Sequence, residues 1–66
     1  MNIGESIRKA REDRGYSRER LARKAGISQI TIFQWEHGKF SPTIELLWRV
    51  ADALNISLDE LIGRRI

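Results

Sequence analysis

The chain contains no cysteine, a single proline and no apolar run that approaches the length of a membrane span. Without cysteine there is neither a disulfide framework nor a thiolate metal site, and nothing points to an oxidising compartment. A membrane helix needs about 20 consecutive apolar residues, and the first residues show an amphipathic pattern rather than a secretory signal. We therefore expect a cytoplasmic protein that has no membrane partner.

Strand patterns are missing as well, because no segment alternates apolar and polar residues in the way that is typical of a β-strand. A chain of 66 residues predicts one domain, residues 1–66. Folding of so small a domain buries roughly 60% of the surface that the unfolded chain exposes. We expect an all-α domain whose small core has no covalent support.

Periodic apolar residues and capping signals predict five helices, at residues 3–14, 18–25, 29–37, 44–54 and 58–63. Asn2 is the expected N-cap of the first helix, Gly15 is its stop, and helix 4 opens at Thr43. Three helices share one device, a serine N-cap between two apolar residues that form a hydrophobic staple. The segments are Tyr16-Ser17 with Leu21, Ile27-Ser28 with Ile32, and Ile56-Ser57 with Leu61, where Glu60 completes a capping box.

The core is expected to draw on apolar stripes at helical spacing. In helix 1 this stripe comprises Ile3, Ile7 and Ala10. In helix 4 it comprises Ile44, Leu47, Val50, Ala51 and Leu54, whereas Leu46 falls off the stripe.

Charge is distributed unevenly along the chain, whose net charge is +3. Between Arg8 and Lys39 there are nine basic and four acidic residues, whereas between Phe40 and Gly63 there are one basic and four acidic residues. This asymmetry is compatible with one surface that faces a polyanion and another that is turned away from it. Solvated faces of small helical proteins are often uneven in charge, so charge alone leaves both interpretations open.

Helix 3 carries polar residues that have no packing role. If Ile32 is the centre of its buried face, Trp35 and Glu36 share that side at 100° per residue. The opposite side carries Ile30, Gln34 and His37, while Gln29 and Thr31 lie in the first turn. A glutamine amide can pair with the N6 and N7 edge of adenine, and an aliphatic side chain can pack on a thymine methyl group. The mixture suits a surface that reads the major groove.

Simpler interpretations of these residues stay open. An exposed glutamine is usually only solvated, and single exposed apolar residues such as Ile30 are common. Phe33 suits the edge of the core, a DNA contact or a partner contact. His37 near the helix C-terminus is favoured there by the helix dipole, and a lone histidine is no metal site.

Catalytic chemistry has little support in the sequence. No nucleophile, base and orienting group occur together, and no glycine-rich phosphate loop is present. We expect no enzyme activity, no cofactor, no metal and no small-molecule ligand.

Three segments carry a resemblance to a known family: RGYSRERLARKAGIS, ITIFQWEHGK and SPTIELLWRVADALNISLDEL. They resemble the helix-turn-helix family of phage repressors and Cro proteins, also called the XRE family. The resemblance implies a compact five-helix, lambda-repressor-like DNA-binding domain in which helices 2 and 3 form the helix-turn-helix. It also implies a sequence-specific regulator of transcription, a repressor, that binds double-stranded DNA and joins the nucleoid when bound.

The resemblance assigns roles to individual positions. Helix 3 is the recognition helix, and the base-reading positions are Gln29, Ile30, Thr31 and Gln34, with Phe33 beside them. The phosphate-contacting positions are Arg18, Ser28 and Lys39. Arg18 departs from the glutamine that commonly opens helix 2 in the family. Arg11 and Glu36 match a pair that forms a largely buried salt bridge in relatives.

Pairing of two copies is the remaining implication. Because one short helix reads only half a site, members of the family typically bind pseudo-palindromic operators as dimers. The resemblance places the homodimer surface around helix 5, with Leu58, Ile62 and Ile66 as candidates, and the pairing need not form without DNA. The same residues, and the off-stripe Leu46, also fit a role in sealing a small core.

Two alternatives concern the function itself. A protein-interaction module could keep the helix-turn-helix fold and bind a partner protein through Phe33, Ile30 and Leu46. Among DNA-binding roles, a prophage repressor or Cro-like switch, a restriction–modification controller and an antitoxin-type autoregulator all stay open.

Overall fold

The computed structural model describes residues 3–62, and within them the chain forms five helices and no strand. The helices are α1 (Ile3–Asp13), α2 (Arg18–Ala25), α3 (Gln29–Glu36), α4 (Ile44–Leu54) and α5 (Leu58–Ile62). The prediction of an all-α fold is confirmed. The expected ends of α1 and α3 were each one residue too long, which is the usual uncertainty at a frayed helix end. The expected cap at Asn2 and the end of α5 at residue 63 lie outside the described residues.

The three serine N-caps are formed as predicted. The Ser17 hydroxyl accepts a hydrogen bond from the Arg20 backbone N–H, and the Ser28 hydroxyl accepts one from Thr31, each at 3.1 Å. At α5 the capping box is complete. The backbone N–H of Ser57 donates to Glu60 Oε1 at 2.9 Å, and the backbone N–H of Glu60 donates to Ser57 Oγ at 3.1 Å. These bonds satisfy amide groups that a helix start would otherwise leave unpaired.

The core is built from every helix. Its most completely buried side chains are Ile7, Leu21, Ile32, Val50, Leu54 and Leu61, and each apolar residue at the inner end of a staple is among them. Ile3 and Ala10, expected to be buried with Ile7, are only half-buried against this cluster. α3 packs against both α1 and α2, and α4 packs against α2, α5 and α1. α3 is thus supported from two sides, which leaves the rest of its surface open.

One prediction for α4 was wrong. Ile44, expected to be buried, is 63% exposed because it begins the helix beside the core rather than over it. Leu46, which lies off the stripe, is half-buried and packs against the core one turn before Val50, in agreement with the core-sealing role that the sequence left open. Ile44 instead shares an exposed face with Trp48, one turn further on and 67% exposed.

At Gly4 the backbone of α1 lies close to the backbone of α3. It is buried, and a Cβ atom at this position would overlap the backbone carbonyl oxygen of Trp35. A backbone carbonyl cannot move aside as a flexible side chain can. The absence of a side chain at Gly4 therefore sets the spacing between the two helices.

We predict that Gly4→Ala destabilises the domain by about 1–3 kcal/mol through overpacking. The direction of the change in the free energy of unfolding is informative, because replacing glycine by alanine inside a helix ordinarily stabilises a protein by about 0.5–1 kcal/mol. Urea unfolding followed by circular dichroism measures the difference. Gly15→Ala is the comparison variant. A Cβ at Gly15 would meet no atom within 4 Å, so any loss of stability there comes from its left-handed φ of +72° and not from overpacking. A Gly4→Ala variant as stable as the native chain would contradict the close approach.

Candidate nucleic-acid interface

The outward face of α3 carries most of the residues that the sequence singled out. Ile32 and Trp35 fix the helix in the core, at 0% and 3% exposure. The remaining side chains point away from it: Gln29, Ile30, Phe33 and His37 are exposed, and Thr31 and Gln34 are half-buried. The structure therefore brings all five expected base-reading residues together on one short helix.

The apolar content of this face is unusual for a solvated surface. Ile30 is 69% exposed and Phe33 is 41% exposed, although both are large hydrophobic residues. Gln29 and Gln34 flank them with amide groups that can both donate and accept hydrogen bonds. This combination offers hydrogen bonding and an apolar contact within two helical turns.

The three expected phosphate contacts occupy different environments. Lys39 is exposed and follows α3 directly, so its ammonium group is accessible. The Ser28 hydroxyl is already used as the N-cap and also accepts a hydrogen bond from the Thr31 hydroxyl at 3.3 Å. Its position can therefore serve an anion mainly through the unpaired backbone N–H groups of the first turn of α3. Arg18 is half-buried and is held by other residues of the protein.

Arg11 and Glu36 form the ion pair that the resemblance implied. The carboxylate of Glu36 is 0% exposed, and the Arg11 side chain is 10% exposed. Arg11 donates through Nε to Glu36 Oε2 at 2.8 Å and through Nη2 to Oε1 at 3.2 Å. Its third nitrogen, Nη1, donates to the backbone carbonyl of Tyr16 at 2.8 Å. The two-pronged pair joins α1 to α3 and also fixes the turn that follows α1.

A second arginine on the same carboxylate was missed by the sequence reasoning. Arg18, the first residue of α2, donates through Nη1 to Glu36 Oε1 at 2.9 Å, with 34% of its side chain exposed. Its guanidinium carbon lies 5.2 Å from the centre of the Phe33 ring, and that ring stacks on His37 at 3.9 Å. The sequence shows that Arg18 is a charged residue but does not show that it reaches Glu36, because that distance depends on how α2 and α3 pack.

Helix 5 offers less free apolar surface than expected. Leu58 is half-buried and packs against the core, and Ile62 is also half-buried. Ile66, the third candidate for a dimer surface, lies outside the described residues. The large exposed hydrophobic residues away from α3 are instead Phe40, Ile44 and Trp48.

Residues 3–62 contain no group of histidine and acidic side chains that is arranged to hold a metal ion. No helix in this range combines the length and the apolar character that crossing a membrane requires.

The fold and the site together define a class of protein. Two short helices of eight residues, joined by a turn at Gly26, support an exposed polar face on the second helix. This is the arrangement of a helix-turn-helix domain. A family model described as helix-turn-helix matches residues 7–61. The chain belongs to this family, in its XRE-type branch of phage repressors and transcriptional regulators.

Similar proteins are found by sequence and by structure. The transcriptional repressor RstR of the cryptic phage CTXphi in Vibrio cholerae is 39% identical over 64 residues, which cover 97% of this chain and 57% of the repressor. The restriction-modification controller protein C.AhdI of Aeromonas hydrophila has a crystal structure with a TM-score of 0.87 and 28% identity, covering 91% of each chain. The biofilm regulator SinR in complex with DNA gives a TM-score of 0.84 and 33% identity, covering 91% of this chain and 97% of that structure.

The chain is shorter than the curated relatives that it matches. It spans 34% and 57% of the length of the first two. The match therefore concerns their helix-turn-helix domain.

We predict that Glu36→Ala destabilises the domain by about 3–5 kcal/mol, because it leaves the largely buried Arg11 without its partner. A small domain has little more stability than this in total, so the variant is expected to be partly or fully unfolded. Thermal melting followed by circular dichroism measures the change.

Arg18→Gln is the matched control for that prediction. Arg18 touches the same carboxylate but is about one third exposed, so its loss is expected to lower the free energy of unfolding by less than about 1 kcal/mol. A negligible effect of Glu36→Ala, or equal effects of the two variants, would contradict the structural role assigned to the Arg11–Glu36 pair.

Proposed function

We propose that this protein is a sequence-specific, double-stranded DNA-binding regulator of transcription that acts as a repressor. The observation that carries the proposal is the outward face of α3, where Gln29, Ile30 and Gln34 stand on a helix that is held rigidly by its neighbours. Membership of the helix-turn-helix family supports it, as do relatives that are named repressors and a similar structure that was solved with DNA.

The chemistry of α3 fits the major groove, which admits one α-helix and presents a distinct pattern for each base pair. Gln29 and Gln34 supply amide groups for an adenine edge, and Thr31 supplies a hydroxyl group near them. Ile30 supplies an aliphatic surface for a thymine methyl group, which explains why a hydrophobic residue is left 69% exposed. We propose that these residues read an operator containing A·T pairs.

Phosphate contacts would hold α3 in register. The accessible ammonium of Lys39, the first turns of α2 and α3, and the guanidinium of Arg18 are the groups that we propose for this role. The basic residues between Arg8 and Lys39 supply the attraction that precedes docking. None of these groups is arranged for catalysis, and we propose no enzymatic activity.

Two copies would be needed to read a full operator. A recognition helix of eight residues reads about half a site, and a two-fold symmetric dimer places two such helices one turn of DNA apart. Leu58 and Ile62 keep part of their surface free for pairing on α5. We propose a homodimer that DNA stabilises, and therefore a protein that is found at the nucleoid when bound.

The experiment that tests the function is selection of bound sequences from a random pool of duplex DNA. We expect a pseudo-palindromic site whose half-sites are centred about 10 base pairs apart. Affinity for that site should fall steeply with salt through release of counterions. Enrichment of no sequence would refute the proposal, and capture of a protein by a salt-insensitive apolar contact would favour a protein-interaction module instead.

We predict different effects for two substitutions on the selected site. Gln34→Ala is expected to weaken operator binding by about 1–3 kcal/mol and to relax the preference at one base pair, since it removes a base contact. Lys39→Ala is expected to weaken binding to all sequences alike and to lower the salt dependence by about one counterion. Fluorescence anisotropy at several salt concentrations separates the two. An unchanged base preference in Gln34→Ala would mean that this residue does not read bases.

A further inference from the structure

Arg18 carries a positive charge that the fold does not need. Glu36 is already paired with Arg11 through two hydrogen bonds, at 2.8 and 3.2 Å. Arg18 adds a third hydrogen bond to this carboxylate, so two guanidinium groups share one negative charge. Within residues 3–62, Nε and Nη2 of Arg18 donate to no other group, and a third of the side chain is exposed. The group is anchored at one nitrogen, and its other two nitrogens, Nε and Nη2, are not engaged by residues 3–62.

The ring of Phe33 fixes the same guanidinium from a second direction. The Arg18 guanidinium carbon lies 5.2 Å from the ring centre, within the range of a cation–π contact. His37 stacks on this ring at 3.9 Å with an interplanar angle of 20°, which restrains it in turn. Phe33 is therefore engaged by two side chains of its own protein, although it stands on the face of α3 that is proposed to meet DNA.

These contacts lie along an open groove between α1 and the C-terminal half of α3. The lining of this groove is mixed in charge. It comprises Phe33, the basic residues Arg8, Arg11 and Arg18, the acidic residues Glu5, Glu12 and the buried Glu36, and His37. A guanidinium group that is fixed in advance loses less conformational freedom when it binds an anion, because an arginine side chain carries about 2 kcal/mol of rotamer entropy. The planar fork of an arginine also matches the geometry of a phosphate group.

We propose that Glu36 and Phe33 hold the Arg18 guanidinium in place for a DNA phosphate, so that Phe33 is a positioning residue and not a base-reading residue. The proposal rests on the DNA-binding function given above. It deepens that function by assigning the exposed aromatic ring to the support of a backbone contact. Glu36 then serves the fold through Arg11 and the interface through Arg18.

The test is a double-mutant cycle on DNA affinity. It compares the native chain, Arg18→Gln, Phe33→Leu and the double variant on the selected operator. Arg18→Gln is expected to weaken binding about tenfold, as for loss of a hydrogen bond between charged groups. Phe33→Leu is expected to weaken binding about threefold, as for loss of a cation–π contact. If Phe33 acts only through Arg18, the double variant binds as Arg18→Gln does.

Two further readouts distinguish positioning from a structural role or a base contact. Phe33→Tyr keeps an aromatic ring under the guanidinium and is expected to bind DNA almost as tightly as the native chain does. Phe33→Leu removes the ring and is expected to bind more weakly. Both variants are expected to keep the native base preference and melting temperature, since Phe33 lies outside the core. Arg18→Lys is a further variant that leaves α3 unchanged. It keeps the positive charge but loses the planar guanidinium, and its DNA affinity is expected to lie between those of the native chain and Arg18→Gln.

The outcomes separate the inference from the function on which it rests. If the native chain binds DNA but the effects of Arg18→Gln and Phe33→Leu multiply, Phe33 contacts DNA itself and the inference is overturned. A shifted base preference in Phe33→Leu, or no loss of affinity in Arg18→Gln, overturns it in the same way while the function stands. If the native chain shows no salt-dependent binding to DNA, both are overturned.

Discussion

The carboxylate of Glu36 is the interaction on which the rest of this structure depends. It is fully buried on α3 and accepts hydrogen bonds from α1 through Arg11 and from α2 through Arg18. A buried charge without partners is strongly unfavourable, so the Arg11–Glu36 pair restricts how α1 and α3 can pack, while the more exposed Arg18 adds a weaker link to α2. The pair also orients the neighbouring core, because Trp35 and Ile32 enter it from the same side of α3. One acidic residue thus contributes to how α3 is positioned on α1 and α2.

The outward face of α3 follows from this constraint. Once Ile32, Trp35 and Glu36 are committed to the interior, helical geometry forces Ile30, Phe33 and Gln34 away from it. Close packing at Gly4 holds α1 and α3 at a short distance from each other, and the Ser28 cap fixes where α3 begins. A site built on such an element is held more precisely than one on a loop, and precision is what bidentate recognition of a base requires.

Much of the fold could be predicted from the sequence because its signals are local. A serine cap and its staple involve residues within five positions of each other, and each predicted start at Ser17, Ser28 and Ser57 was confirmed.

The sequence was a poorer guide where the position of a residue in the tertiary structure decides its burial. Ile44 shares the period of the buried stripe but begins α4 beyond the edge of the core, and Leu46 lies off the stripe yet packs against it. The requirement for glycine at Gly4 and the bond from Arg18 to Glu36 depend on distances between helices, which no local pattern contains. The outward position of Gln29, Ile30 and Gln34 could be predicted, because it needs only the helical period.

The two arginines on Glu36 differ in how much of their hydrogen-bonding capacity the fold itself uses. Arg11 donates from all three of its nitrogens inside the protein, to Glu36 and to the carbonyl of Tyr16, and its side chain is only 10% exposed. Arg18 donates from one nitrogen within residues 3–62, and its side chain is 34% exposed. A glutamine opening α2 would be neutral, so its amide could donate to this carboxylate but would add no positive charge. The exchange of glutamine for arginine is matched by an aromatic residue at Phe33, which gives the longer cationic side chain a surface to rest on. Arg18, which departs from the family pattern, and Phe33 are therefore in contact, and a change at either one alters the environment of the other.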